Sequence, residues 1–344
     1  MKKAIILFNL GGPDKLESVE PFLFNLFYDP AILSLPKFIR YPLAKLISKL
    51  RSSKAKKIYQ ELGGSSPILK ATNDQAFALE KRLNENDNFS EYKCFIVMRC
   101  WHPRAENVIE EVKKFNPDEI ILMPLYPQYS AATSGSSIKE WVDLCKNKKY
   151  KIKTSTICCY PTDINFIIAH VELIKKKIYN LKNYKLIFSA HGLPEKNIKK
   201  GDPYQWQVEQ SVSKIVKNLN IKDLDWILSY QSRVGPLKWI GPSTEDTIIE
   251  NSKLNKCIVL VPVAFVSEHS ETLVELDIEY KELAEKNGCN EYIRIPALGT
   301  DPNYIKSMSE LIIKKEDYNF DNKLYPPKNR CPNNFKKCPC LHNE

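Results

Sequence analysis

No apolar run in these 344 residues reaches the roughly 20 residues that a membrane-crossing helix needs. The run Ala4 to Phe8 behind Met1-Lys2-Lys3 is too short for the core of a secretion signal, and no small-residue cleavage site follows it. Without such a signal, the ten cysteines read as reduced thiols or metal ligands rather than a disulfide framework. Neither GxGxxG nor GxxxxGK[ST] occurs, so the Leu10-Gly11-Gly12-Pro13 turn does not mark a nucleotide site. There is no Gly-x-Ser-x-Gly elbow and no HExxH zinc helix. The lysines are scattered, and no nucleic-acid fold signature accompanies them. These absences leave a cytoplasmic globular protein with no nucleic-acid partner.

What is present is an alternation. Hydrophobic residues at 43% and charged residues at 27% suit a large core. Buried-strand patterns fall at residues 3–9, 92–99, 118–124 and 151–158, with helical patterns at 72–85, 104–115 and 135–146 between them. The second half repeats the scheme. Helices are expected at 162–180, 203–219, 243–251, 268–287 and 301–315, and strands at 185–190, 225–230, 256–262 and 291–295. Such alternation means parallel sheets with right-handed crossovers and helices on both faces. The expected fold is α/β, with two doubly wound lobes, residues 1–160 and 161–315, and a cysteine-containing tail, 316–344. No Pro/Gly/Ser-rich linker separates the lobes, so they should close around a shared cleft.

Chemistry gathers at predicted strand ends, where open α/β sheets bind ligands. The segment Tyr184–Tyr204 runs as a strand into Ser-Ala-His-Gly, which sets His191 at that edge. Such a histidine suits a proton acceptor or metal ligand, or a plain turn bonded to a neighbouring carbonyl. In Val259–Glu279, Ser267 is a reasonable helix N-cap with Glu268 and Glu271 in the first turn. Glu268, Glu271, Glu275 and Glu279 then share one helical face. That face reads either as a ladder passing a divalent cation inward or as a solvated surface. Glu271 lies at the same sheet edge as His191. A His–Glu pair suits transient metal contact with proton transfer better than a structural metal site. Arg99, Trp101, Tyr126, Arg233 and Trp239 also fall at or just beyond strand ends, which suits a flat, apolar, anion-bearing ligand. The net charge of +10 agrees with an anionic ligand or membrane surface. Residues 17–58 are helical in spacing but apolar around much of the surface, then basic from Lys45 to Lys57. They form either a greasy lip rimmed by cations or two core helices.

The motifs NLGGP, PQYSAATSGSS, FSAHGLP with GDPY, QSRVGPLKWIGP and VPVAFVSEHSETLVELDIEY occur in that order. As an ordered set, over about residues 3 to 315, they resemble the ferrochelatases, which insert ferrous iron into a porphyrin. The resemblance implies a chelatase-like fold of two Rossmann-like lobes with the porphyrin between them. It makes His191 the metal-contacting base, Glu271 its partner, and Glu275 and Glu279 the acidic path for the metal. It places Leu10, Arg99, Tyr126 and Trp239 in the pocket. Arg51, Ser66 and Arg233 would hold the propionates. Animal members carry a [2Fe–2S] cluster on three tail cysteines and one in the PQYS segment. Here Cys331, Cys338 and Cys340 are present, but Ala131 stands where that fourth ligand would be. The surface metal site that other members build after a mid-chain Trp-Pro is also missing; this chain has Tyr160-Pro161-Thr162-Asp163. The expected substrates are Fe²⁺ and protoporphyrin IX. Coproporphyrin III, with four carboxylates, is the alternative, and a non-catalytic haem carrier is the other. The iron donor is not written in the sequence. A cationic lip implies peripheral contact with the inner face of a membrane.

Overall fold

The computed structural model describes residues 1–178, 184–233, 235, 237–314, 324–325 and 331–341. Its first sheet is built from β1 (Lys2–Asn9), β2 (Glu91–Met98), β3 (Glu119–Pro124) and β4 (Lys153–Ile157), in the order β2-β1-β3-β4. The second has β5 (Tyr184–His191), β6 (Trp226–Gln231), β7 (Cys257–Pro262) and β8 (Tyr292–Arg294), in the order β6-β5-β7-β8. Every pairing in both is parallel. The α/β expectation is therefore met, and expected strand limits agree to within a residue or two.

The central strands explain themselves. All six residues of β3, Glu-Ile-Ile-Leu-Met-Pro, are buried, as a strand covered on both faces requires. The connections are α1 (Val19–Tyr28), α2 (Lys37–Glu61), α3 (Ile68–Asn86), α4 (Ala105–Phe115), α5 (Ser134–Asn147), α6 (Ile164–Lys177), α7 (Glu195–Lys199), α8 (Tyr204–Leu219), α9 (Thr244–Lys253), α10 (Tyr280–Lys286) and α11 (Pro302–Lys314). α4 buries Val108, Ile109 and Val112 and stops at Asn116, whose φ of 53° is left-handed. α6 starts at Asp163, whose carboxylate accepts from the Asn165 and Phe166 amides. The last residues of the expected helices 162–180 and 301–315 lie outside the described residues.

One core joins the two sheets. Leu7, Met123, Leu79, Phe166, Phe188, Val208, Val261 and Met308 belong to a single buried cluster. Helices α3, α6, α8 and α11 supply its middle layer, while α4 and α5 cover the outer face of the first sheet and α9 and α10 that of the second. Each such buried side chain contributes about 1.5–3 kcal/mol. This shared layer is the physical reason that no flexible linker is needed.

Two features depart from the expected pattern. A short strand, β9 (Leu324–Tyr325), pairs in parallel with β4, so the tail adds a fifth strand to the first sheet. The segment expected as one helix from 268 to 287 instead begins at Glu271 and runs as a π-helix through Glu279 before α10. The Tyr280 amide bonds the Glu275 carbonyl, five residues back.

Candidate active site

His191 is the last residue of β5, the second strand in the β6-β5-β7-β8 order. Its Nδ1 lies 2.9 Å from Glu271 Oε2, at the start of the π-helical stretch. Both side chains are about one-third exposed, 37% and 31%, so the pair is held yet reachable. The Tyr204 hydroxyl donates to the His191 carbonyl at 3.0 Å, and the Gly192 amide donates to Gln231 O at 2.9 Å. A Cβ at Gly192 would come within 2.9 Å of that oxygen and 3.2 Å of the Trp239 ring, so glycine is what lets Trp239 lie against this turn. Burial works against a charge on His191. The Glu271 carboxylate, and Glu275 behind it, outweigh that cost and hold its pKa above the ordinary histidine value. Burial likewise opposes the Glu271 charge, but His191 and then His269 bring its pKa well down. Each partner therefore favours the charged form of the other.

Three further residues flank this pair, and one of them, Gln231, belongs to the polar Gln231-Ser232-Arg233 run that the sequence places at a strand end. His269 Nε2 is 3.8 Å from Glu271 Oε2, and burial pushes its pKa down, so it stays neutral. Tyr59, from α2, is buried and hydrogen-bonds Ser270 beside Glu271; burial raises its phenol pKa to about 12. Gln231 accepts from Ser189 Oγ at 2.7 Å and donates to Glu275 at 3.1 Å, tying β5 and β6 to the π-helical stretch. Sequence reasoning misses His269 and Tyr59, and of these only His269 carries a visible signal, its His-x-Glu spacing to Glu271.

The carboxylate ladder is graded rather than uniform. Glu275 is part-buried and accepts from Gln231, the Ser232 amide, Ser232 Oγ and Tyr280 OH, at 2.7–3.1 Å. Burial and the Glu271 charge raise its pKa against those donors. Glu279 is exposed. Glu268 leaves the ladder altogether: it pairs with Arg294 at 2.6 Å and accepts from the Ala297 amide. Ser267 is not the N-cap. Its hydroxyl donates to Gln75 Oε1 on α3 at 2.9 Å, and Gln75 in turn donates to Val266 O and Gly299 O. A partner 192 residues away has replaced a local one.

The expected pocket residues sort differently. Leu10 packs on the cluster of Val19, Phe22, Leu23, Tyr59 and Cys100, which carries it towards the Tyr59–Ser270 contact. Tyr126 follows β3, and burial drives its phenol pKa far up, so it is always neutral. Trp239 borders His191 as described. Ser66 sits against Gly12, where a Cβ would be 2.4 Å from its Oγ. Arg51 is exposed on α2, its guanidinium 5.5 Å from the Phe27 ring. Arg233 is exposed, reaching Ile240 O at 3.3 Å and Asp246 at 4.0 Å. Arg99 is occupied: it pairs with Asp29 at 3.0 Å and Glu140 at 3.2 Å and donates to Ser136 at 2.8 Å. An open hollow lined by Met1, Lys2, Phe89, Glu91 and Asp118 lies at the opposite edge of the first sheet and involves none of these groups.

Residues 2–316 match the family model for ferrochelatase. The chain belongs to the ferrochelatase family. It is 76% identical over 344 residues to the ferrochelatase of Pelagibacter ubique, covering all of both chains. It is 52% identical over 346 residues to that of Rickettsia felis, covering 99% of each. Among solved structures, the sirohydrochlorin chelatase SirB of Bacillus subtilis with Fe³⁺ aligns with a TM-score of 0.58 at 12% identity, over 94% of this chain and 100% of that one. CbiX, the terminal enzyme of sirohaem biosynthesis in denitrifying bacteria, aligns at 0.50 and 11%, over 91% and 99%. At such identities these two speak for the fold alone. As a ferrochelatase the chain is a porphyrin metal chelatase, and Fe²⁺ is its substrate.

A second group of residues converges away from His191. Where β4 ends, Cys158 and Cys159 meet Cys340 of the tail: Cys158 Sγ is 3.3 Å from Cys159 Sγ and 3.0 Å from Cys340 Sγ. The free thiol of Cys338 is within hydrogen-bonding reach of both Cys340 and Cys331. All five thiols are buried in one cluster with Tyr129. Among the described residues no group of three or more ligands is preset around a metal position. The Cys158 sulfur lies in contact with those of Cys159 and Cys340. The PQYS segment lacks a cysteine, but the β4 exit supplies two.

Proposed function

We propose that the chain inserts Fe²⁺ into protoporphyrin IX to give protohaem, with His191 as base and iron contact and Glu271 as its partner. The His191–Glu271 pair at the β5 edge carries this reading. Glu271 engages Nδ1, which leaves Nε2 as the nitrogen that meets the porphyrin face. Metallation removes two pyrrole protons. A neutral His191 takes one at Nε2, and the Glu271 charge stabilises the imidazolium that forms. Neutral His269 supplies a second nitrogen beside the same carboxylate. Glu275 and exposed Glu279 form the outward line along which iron arrives and protons leave. Leu10, Tyr126 and Trp239 wall the macrocycle, and Arg99, already paired, stiffens that wall rather than meeting substrate. Arg51, Ser66 and Arg233 meet the propionates. Replacing His191 by alanine should abolish insertion while porphyrin binding, followed by fluorescence quenching, persists. Near-normal turnover would sink the assignment.

The cysteine group supports a [2Fe–2S] cluster held by Cys331, Cys338, Cys340 and Cys158, because Fe–S centres take four thiolates and this is a buried set of soft donors. When bound, such a centre supplies one-electron chemistry and cross-links the tail to β4. Cys158→Ser should remove the visible absorption of anaerobically purified protein, and Cys159→Ser should keep it. A colourless wild-type protein defeats the proposal.

The exposed side chains of α2 support peripheral binding to an anionic membrane. Phe38 is 77% and Leu50 72% exposed, beside Lys45, Lys49, Lys54, Lys56 and Lys57. Among the described residues no helix is long and apolar enough to cross a membrane.

A further inference from the structure

α8 carries a buried polar stripe, Tyr204, Gln207 and Ser211, at helical spacings of three and four. Each member reaches a different part of the molecule. Tyr204 holds the His191 carbonyl. Ser211 donates to Pro161 O at 2.7 Å and accepts from Gln128 at 2.9 Å. Gln207 accepts the Tyr129 amide at 2.7 Å and donates to Cys331 Sγ at 3.2 Å and Cys159 Sγ at 3.5 Å. The orientation of this amide is forced. A backbone N–H only donates, so Oε1 must face Tyr129, and Nε2 must face the sulfurs.

The tail grips the same region from the other side. Gly201, with φ of +87°, accepts the Lys337 amide at 3.0 Å, and a Cβ there would come within 2.8 Å of Lys336 N. The next residue, Asp202, is buried and accepts from Ser130 Oγ and the Ala131 amide of the PQYS segment. The sulfur group, the porphyrin-side segment 126–131 and the His191 carbonyl are therefore joined through one turn of α8.

We propose that Gln207 is a positioning residue of the sulfur site: its N–H groups set the potential of the bound cluster, and its oxygen fastens that site to the PQYS segment. This rests on the cluster reading above. Reduction adds negative charge to a cluster, and an N–H aimed at its sulfurs stabilises the reduced form. Removing the donor therefore moves the midpoint potential to a more negative value. Gln207→Leu removes both functions. Gln207→Glu keeps an acceptor for the Tyr129 amide and places a carboxylate beside the sulfurs, so it should lower the potential further and carries the test if the leucine variant fails to fold.

The experiment is an anaerobic spectroelectrochemical titration of wild type and both variants, with iron and sulfide content measured on each. The expected result is wild-type iron and sulfide content with a potential that falls in the order wild type, Gln207→Leu, Gln207→Glu. A variant with full content and an unchanged potential overturns the inference and leaves the cluster reading standing. A wild-type protein without iron–sulfur absorption removes that reading and the inference with it.

Discussion

Glu271→Gln isolates the charge of the His191 partner. Glutamine keeps an oxygen in reach of Nδ1, so the hydrogen bond survives and only the charge is lost. At the 2.9 Å separation, two unit charges in an effective dielectric of about 20 attract by roughly 6 kcal/mol. Both side chains are about one-third exposed, and screening of such pairs takes away at least about half. About 2–3 kcal/mol then remains to stabilise the imidazolium, which is roughly 30- to 160-fold in rate. The sign of the pH effect follows from the same contact. Glu271 raises the His191 pKa, so in the wild type the neutral, proton-accepting form is gained only as pH rises through that raised value. Without the charge the imidazolium is less stable, and the rising limb of the kcat/KM profile moves to lower pH while the plateau falls. The assay is steady-state haem formation at saturating iron, from pH 5 to 9, with porphyrin varied. A plateau within about threefold of wild type, or a limb that does not move, would refute the pairing as the source of catalysis.

Glu275→Gln should reduce the rate less than Glu271→Gln. It should also lower stability by about 1–3 kcal/mol, because an amide nitrogen cannot accept all four of the donors that Glu275 now satisfies; steady-state kinetics and thermal melting separate the two effects. Gly192→Ala should cost both stability and turnover through its 2.9 Å clash with Gln231 O, and a variant with wild-type melting temperature and rate would show that the turn has room. Paired assays with protoporphyrin IX and coproporphyrin III should favour the former, since exposed Arg51 and Arg233 offer few cations for four carboxylates; the reverse ratio would reassign the substrate. Co-sedimentation with liposomes should need anionic lipid and weaken both at high salt and when Lys54, Lys56 and Lys57 are neutralised, each basic residue contributing about 1 kcal/mol at such a surface. Protein left in the supernatant at low salt would confine the lip to the substrate.

The alternation of apolar runs and amphipathic segments sufficed to place all eight strands of the two main sheets, and the eight helices expected outside residues 17–58, because burial on one or both faces writes a local period into the chain. It also set His191 at the end of β5, since a strand that runs into Gly192-Leu193-Pro194 has to stop there. Residues 17–58 were ambiguous in the sequence, and the fold divides them: Phe22 and Leu23 of α1 are core, while Phe38 and Leu50 of α2 face outward. Partners distant in sequence were decided by tertiary packing. Ser267 looks like a helix cap and instead bonds Gln75 on α3; Arg99 looks like a ligand cation and is held by Asp29 and Glu140. The widened turn from Glu271 to Glu279 left no mark in the hydrophobic period, and because the helix starts only at Glu271, Glu268 stands outside the ladder that an ordinary helical wheel drew and pairs with Arg294. The sulfur group is the plainest case. Cys158 and Cys340 stand 182 residues apart and come to 3.0 Å only because the tail packs where β4 ends. Spacing within a sequence reports neighbours along the chain, whereas a ligand set is defined by neighbours in space, and those exist only after the core has closed.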